Sequence, residues 1–150
     1  MIRAKIYVER YEWVVDCYIS VTHYACAEIL ASMKAIGCDS ATLRRAGRKL
    51  SSGEINGGLT YTNHRSRRSV MVTSLAESAA QQFNTITHEI AHVCAHIASS
   101  EGINPASEEF AYLVGDFSME LFPKVKGLLC ECCRKKGLKF KIILPKFRKK

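Results

Sequence analysis

The sequence predicts an α+β protein with a single domain and a short, mostly antiparallel sheet. Two pairs of segments are rich in β-branched and aromatic residues, and a short polar link joins the members of each pair, as in hairpins. Helix-period patterns separate the two pairs and follow the second. A chain of 150 residues, of which 47% are hydrophobic, can build one core around these elements.

The first hairpin and two helices are predicted in the N-terminal third of the chain. The hairpin strands are expected at 2–8 and 13–21, with a polar link between them. Apolar residues then recur at three- and four-residue steps in 23–36, and Gly37 follows where a C-cap glycine belongs, which predicts a helix. A short basic helix is expected at 40–50.

The second hairpin is predicted at 59–63 and 69–74, and a long helix follows it. Ser74 and Glu77 fit a capping box, in which a serine hydroxyl and a glutamate three residues later bond each other's free backbone N–H groups. The long helix is therefore expected to begin there and to end near Gly102.

A further helix is predicted to start at Asn104 and Pro105, a cap followed by proline at the first helical position. It should reach Leu121, because Pro123 is expected to interrupt it. A last helical piece is expected at 124–136.

Charge is distributed unevenly between the body of the chain and its C-terminal end. Nine of the 22 Lys and Arg residues lie in 134–150 without any acid, so 13 remain in the body against all 14 Asp and Glu residues. We therefore divide the chain into a domain at 1–136 and a basic tail at 137–150. The tail could bind nucleic acid through counterion release, but a solvated chain end is the more common explanation, so nucleic acid is not the favoured partner.

Location and redox state are also predicted from composition. The first thirty residues contain charges throughout and no apolar signal-peptide core, and no later run is long enough to span a bilayer. We therefore expect a cytoplasmic protein without a membrane partner. Its seven cysteines, an odd number, should remain thiols, and the three in 129–133 lack the spacing of a zinc knuckle.

The strongest chemical signal is THEIAHVCAH, which places three histidines and a glutamate on the long helix. His88, His92 and His96 are four residues apart, so they lie on a second face of the helix, about 200° round from Ile90. Two imidazoles one turn apart can both bind a tetrahedral Zn²⁺ ion. Glu89, offset by one residue, is placed to accept a proton from a water whose pKa the metal lowers.

The apolar stripe predicts how this helix packs. Its members recur at three- and four-residue steps and should face the sheet. They are Phe83, Ile86, Ile90, Val93 or Cys94, and Ile97. Histidines that only bond neighbouring groups are the alternative explanation, but a set at metal-ligand spacing favours a metal site. His96, one more turn along the helix, is expected to line the cleft rather than to bind the ion.

A catalytic zinc has three protein ligands and one open position, so another donor must lie elsewhere in the chain. Glu108 and Glu109, in the first turn of the following helix, are the best source. Residues 87–116 then resemble the gluzincins, zinc metallopeptidases with H-E-x-x-H on one helix and a glutamate on the next. They are most similar to the minigluzincins, including the ImmA/IrrE-type proteases, which also show a later histidine and an E-x-x-A pattern.

The resemblance implies a small zincin-like core and a zinc-dependent peptidase that hydrolyses a peptide bond in a cytosolic protein or peptide. His88 and His92 match the zinc histidines, and Glu89 matches the catalytic carboxylate. Glu108 matches the third ligand, and Glu109 is its rival.

The resemblance also implies an edge strand beside the cleft, and by order 69–74 could be that edge and pair with an extended peptide. The group that assists the carbonyl oxygen is unassigned, with Tyr61, His64 and Tyr112 as candidates. One rival function is a catalytically silent metal-binding or interaction module. Another is nucleic-acid binding by the tail together with Arg44, Arg45, Arg48, Lys49, Arg65, Arg67 and Arg68.

Overall fold

The computed structural model describes residues 1–22, 25–52 and 57–129, which form three layers. A four-stranded sheet has two helices on each face, so the fold class is α+β. The strands are β1 (Ile2–Val8), β2 (Trp13–Val21), β3 (Gly58–Asn63) and β4 (Arg68–Ser74). The helices are α1 (Cys26–Ala35), α2 (Ser40–Ser52), α3 (Ala79–Glu101) and α4 (Glu108–Leu129). None of these helices is long and apolar enough to cross a bilayer.

The sheet has the strand order β1-β2-β4-β3 and is mixed. Both predicted hairpins are confirmed, since β1 pairs with β2 and β3 with β4, each antiparallel. The central pair, β2 and β4, is parallel. The expectation that 69–74 forms the edge strand is wrong, because β4 has a partner on both sides. The edge strand on that side of the sheet is β3.

Alternation along the strands divides the apolar residues into two cores. One core packs under α3 and α4 and receives Trp13, Val15, Cys17 and Ile19 from β2. The other packs under α1 and α2 and receives Tyr18 and Val21. The same alternation places the Leu59 and Tyr61 side chains of β3 against the second core. The intervening threonines of β3 therefore lie on the α3 side of the sheet.

The long helix begins later than the capping-box pattern predicts. Ser78 is the N-cap of α3, and its hydroxyl accepts a hydrogen bond from the Gln81 backbone N–H at 3.2 Å. Ser74 instead ends β4, where its hydroxyl donates to the carbonyl oxygen of Gly57 at 3.1 Å. The proposed capping box with Glu77 is therefore wrong, because its serine is already used in the sheet.

The predicted apolar stripe of α3 is confirmed except for its first member. Ile86, Ile90, Val93, Cys94 and Ile97 are buried. Phe83 is 58% exposed, so its assignment to the stripe is wrong. At this end of the helix the buried residue is Gln82. Its amide oxygen accepts a hydrogen bond from the Ser20 hydroxyl, and its amide N–H donates to the Thr73 hydroxyl, both on neighbouring strands.

The start of α4 also differs from the prediction. Asn104 caps a turn rather than the helix, and its side-chain oxygen accepts from the Ala106 N–H at 2.9 Å. The hydroxyl of Ser107 then accepts from the Phe110 N–H at 3.3 Å, so the helix begins at Glu108.

The prediction that Pro123 interrupts this helix is wrong, because α4 continues through it to Leu129. Proline removes one backbone donor from a helix. Leu121 and Val125, on either side of it, are buried in the core and stabilise the continuous helix. The first part of the piece predicted at 124–136 is thus the end of α4. The rest of it, the last three cysteines and the tail lie outside the described residues.

The two helices on the other face match their predictions closely. The described part of α1 begins at Cys26, while the predicted start at position 23 lies outside the described residues. α2 begins at the predicted Ser40 and runs two residues beyond Leu50. Gly37 follows α1 with a φ of +90°, as expected for the residue after a helix.

We expect Gly37→Ala to lower the free energy of unfolding by about 2–3 kcal/mol, from left-handed strain and a disrupted hydrogen bond. A methyl group at position 37 would lie 2.8 Å from Nδ2 of Asn63, which donates to the Ile36 carbonyl oxygen at 2.7 Å. Gly102→Ala is the control, since its φ is +70° but its surroundings are open. Denaturant unfolding of both variants measures the difference, and equal losses would contradict a steric role for Asn63.

Candidate metal centre

Two imidazoles converge on the outer face of α3. His88 and His92 are exposed and one turn apart, with ring centroids 4.6 Å and Nε2 atoms 3.0 Å from each other. Two nitrogens bound to one tetrahedral zinc at 2.0–2.1 Å lie about 3.3 Å apart. Complementary neutral tautomers can also share a hydrogen bond across this distance. The two side chains thus already have nearly the separation that a shared ion requires.

Glu89 lies beside this pair and is only 3% exposed, although it is a carboxylate. Its Oε2 accepts a hydrogen bond of 2.6 Å from the Thr60 hydroxyl on β3. Donor atoms of His88, Glu89 and His92 all lie within 4.8 Å of one another. The structure therefore brings together the three motif residues in a group that could hold a metal ion.

Gly58 provides the space in which the Glu89 side chain lies. A Cβ atom at position 58 would be 2.5 Å from Cγ, Cδ and Oε1 of Glu89. This is far inside van der Waals contact and involves the buried carboxylate itself. Any side chain at position 58 would therefore displace Glu89 from its place beside the imidazoles.

The row of histidines continues past the pair. The His96 ring centroid is 6.4 Å from that of His92 and 5.9 Å from that of His64, which lies in the turn between β3 and β4. Its Nδ1 bonds the Thr62 hydroxyl at 2.9 Å. Burial, followed by the neighbouring histidine charges, lowers the pKa of His96. His96 is therefore a half-buried residue of the row whose neutral form the site favours.

A chain of hydroxyl groups connects His96 to the core. The indole N–H of Trp13 donates to the Ser69 hydroxyl at 2.9 Å, and that hydroxyl lies 2.7 Å from the Thr62 oxygen. Thr62 in turn bonds His96. This series of hydrogen bonds orients the His96 ring, because it begins at a tryptophan that is fully buried.

The structure does not bring Glu108 into the metal-capable group of the described residues. Glu108 is exposed at the start of α4, and within the described part of the chain it makes neither a hydrogen bond nor an ion pair. Glu109, by contrast, accepts from the Tyr11 hydroxyl at 3.0 Å and pairs with Arg10 at 2.6 Å. Of the two candidate ligands, Glu108 is thus the one whose carboxylate has no competing partner there.

The three candidates for assisting a carbonyl oxygen lie in different places. The Tyr61 hydroxyl donates to the Gly37 carbonyl oxygen on the α1 side of the sheet, away from the histidines. Tyr112 lines a depression between β1 and α4. His64 is the candidate that the structure places in the histidine row.

The cysteine within the motif is part of the core rather than of the site. Cys94 is fully buried, and burial raises the pKa of its thiol to about 12. Such a thiol remains protonated at neutral pH, and metals bind the thiolate. The donor set is therefore imidazole and carboxylate.

Sequence reasoning missed the residues of β3 that position Glu89 and His96. Thr60 and Thr62 alternate along the strand, which is the pattern of one hydroxyl-bearing face, and Gly58 belongs to a glycine pair. These signals indicate a polar face and a close approach. They do not say which helix makes the approach.

Comparison with known proteins finds no protein-family model, no curated protein and no solved structure that matches the chain. The function must therefore be argued from the site.

We expect Thr60→Val to lower the free energy of unfolding by about 1–3 kcal/mol at neutral pH, because the buried Glu89 carboxylate loses its hydrogen bond. Thr60→Ser keeps the hydroxyl and is the control. In a Glu89→Leu background, Thr60→Val should cost much less, since no carboxylate remains to be bonded. Chemical denaturation of the four proteins of this cycle gives the coupling energy. A coupling energy near zero would contradict the assigned bond.

Proposed function

We propose that this chain is a zinc-dependent peptidase of the gluzincin type that hydrolyses a peptide bond in a cytoplasmic protein or peptide. His88 and His92 bind the metal, Glu108 is the third ligand and Glu89 is the general base. The observation that carries the proposal is the buried Glu89 carboxylate beside two converging imidazoles. A purely structural zinc site has no need of such a carboxylate.

The donor set fits zinc, because two imidazoles and a carboxylate with one open position form a common catalytic arrangement. A bound zinc supplies Lewis acidity, which makes water more acidic and polarises the scissile carbonyl. Glu89 accepts the proton of the attacking water and passes it to the leaving nitrogen as the C–N bond breaks. Thr60 holds one carboxylate oxygen, so the other remains available for this transfer.

The position of β3 supports a peptide as the substrate. β3 is an edge strand beside α3, and among the described strands only β4 pairs with it. An extended peptide could add to its free edge by main-chain hydrogen bonds. Such a peptide would lie next to the carboxylate that Thr60 holds.

A metal-binding module without turnover is the second candidate function. It is favoured by the position of Glu108, which stands outside the group formed by His88, Glu89 and His92. In that case Glu89 itself would be the third donor. The site would keep the open position that catalysis needs only if no protein group filled the fourth coordination position.

Protein purified without chelator is expected to contain about one zinc ion per chain, and His88→Ala or His92→Ala should each remove most of it. Zinc content measured by elemental analysis on folded protein tests this. Full occupancy in both variants would exclude the site.

Glu108→Gln should weaken zinc binding strongly if Glu108 is the third ligand. The matched control is Glu109→Gln, which changes the neighbouring carboxylate bonded to Tyr11 and should leave zinc content nearly intact. The reverse pattern would move the ligand to Glu109. Equal tolerance of both changes would place the third donor outside the first turn of α4.

Glu89→Gln should keep zinc but lower kcat for peptide hydrolysis by several orders of magnitude, because the amide keeps the shape but cannot accept the proton. The measurement combines zinc content with turnover of a substrate selected from a peptide library. Loss of zinc would instead make Glu89 a ligand, as the second candidate function requires. Unchanged turnover would refute the proposed mechanism.

A further inference from the structure

A second charged feature lies on the other side of the sheet from the histidines, on α2. The helix carries four cations and no acid. At about 100° per residue they span about 140° of its circumference, and Ala46 and Leu50 lie outside this arc. Ala46 and Leu50 are buried in the core with α1. The four cations, which we call the α2 basic face, are Arg44, Arg45, Arg48 and Lys49.

The α2 basic face is exposed, and none of its members is in an ion pair among the residues that the structure describes. Within the described part of the chain, its one side-chain hydrogen bond joins Arg45 to the Thr42 hydroxyl at 3.0 Å. Five of the nine described cations outside α2 differ in this respect, whereas Lys34, Arg65, Lys124 and Lys126 are also outside ion pairs. Arg3, Lys5, Arg10, Arg67 and Arg68 each pair with a carboxylate.

These ion pairs reduce the number of unpaired cations on which the sequence-based nucleic-acid hypothesis can rely. Arg67 pairs with Glu101 at 3.1 Å, and Arg68 with Asp16 at 3.1 Å, so each of these guanidinium groups already has a carboxylate partner. Of the second basic segment, only Arg65 is outside an ion pair among the described residues, whereas all four cations of the α2 basic face are.

The surroundings of the α2 basic face also suit an anion. An open depression of about 630 Å³ lies beside it, and the described residues that line it include no acid. The lining residues are Arg45, Arg48, Lys49, Ser51 and Ser52. The carboxylate of Asp39, at the start of the helix, instead accepts the backbone N–H groups of Ala41 and Thr42.

We propose that the α2 basic face binds the phosphodiester backbone of double-stranded nucleic acid without reading its sequence. Guanidinium groups outside ion pairs on one face of a helix can each form charge-assisted hydrogen bonds to a backbone phosphate. The helix has no aromatic residue to stack on unpaired bases and no Asn or Gln to contact base edges, which favours backbone contacts to a duplex. This inference is independent of the peptidase proposal.

An anionic membrane is the less suitable partner. An amphipathic helix binds lipid by inserting its apolar side, but Ala46 and Leu50 of α2 are already buried in the core with α1. The polar side alone would give only electrostatic adsorption to the lipid surface.

The test uses the full-length chain and two 20-base-pair DNA duplexes of unrelated sequence, with binding followed by fluorescence anisotropy at several salt concentrations. The variant R44Q/R45Q/R48Q removes three cations of the α2 basic face. The control R65Q/K124Q/K126Q removes the same charge from exposed cations outside α2. Both keep the basic tail, and thermal unfolding by circular dichroism checks that both keep the fold.

Both duplexes should bind with similar affinity. The α2 variant should make the slope of log K against log salt shallower by about 2.7, which corresponds to three lost phosphate contacts, and weaken binding at least about tenfold at low salt. The control should change the slope by less than about 1. Vesicles of phosphatidylcholine and phosphatidylserine serve as the second probe.

The proposal is overturned if the full-length chain does not bind the duplexes, or if the two triple variants lose affinity equally, since net charge or the tail then explains the binding. It is also overturned if the α2 cations are needed for the vesicles but not for DNA.

Discussion

The parallel pairing of β2 with β4 determines where the other elements of the molecule lie. Parallel neighbours cannot be joined by a tight turn, and here the connection passes through α1 and α2 on one face of the sheet. β1 and β3 are each held by a hairpin and take the two outer positions. The opposite face is covered by α3 and α4. The edge strand β3 and the histidine helix therefore become neighbours.

The contact between β3 and α3 lowers the free-energy cost of burying Glu89. A charged carboxylate withdrawn from water needs a hydrogen-bond donor, and a strand edge with a threonine facing the helix supplies one. The same face of β3 supplies Thr62, which orients His96. The α2 basic face stands on the far side of the sheet and shares no residue with this arrangement. The proposed chemistry at α3 and the proposed anion binding at α2 thus belong to separate layers.

Local patterns predicted most elements, and non-local contacts explain the errors. Both hairpins and both α1 and α2 follow from periodicity and turn residues within short windows. The parallel pairing and the identity of the edge strand depend on segments some fifty residues apart, for which periodicity contains no signal. The start of α3 was mispredicted because Ser74 bonds Gly57, and the break at Pro123 because packing of Leu121 and Val125 outweighs one lost donor.

The candidate site also has a part that local sequence patterns predict and a part that depends on contacts between elements. His88, Glu89 and His92 could be grouped from sequence because helical spacing alone determines their proximity. Gly58 and Thr60 could not, since their contact with Glu89 spans two elements. The relation of Glu108 to the histidines depends on how α4 packs, which no spacing rule contains.

The contact between Gly58 and Glu89 also links the site to the accuracy of strand pairing. In the native register Gly58 lies opposite Thr73. A shift of one residue would turn every side chain of β3 to the opposite face, so Leu59 would point at the carboxylate and Thr60 away from it. Only correctly paired hairpins then leave room for the carboxylate. If the site turns over as proposed, the specific activity of a preparation would depend on the fraction of molecules whose hairpin is in register as well as on the rate at which each one reacts.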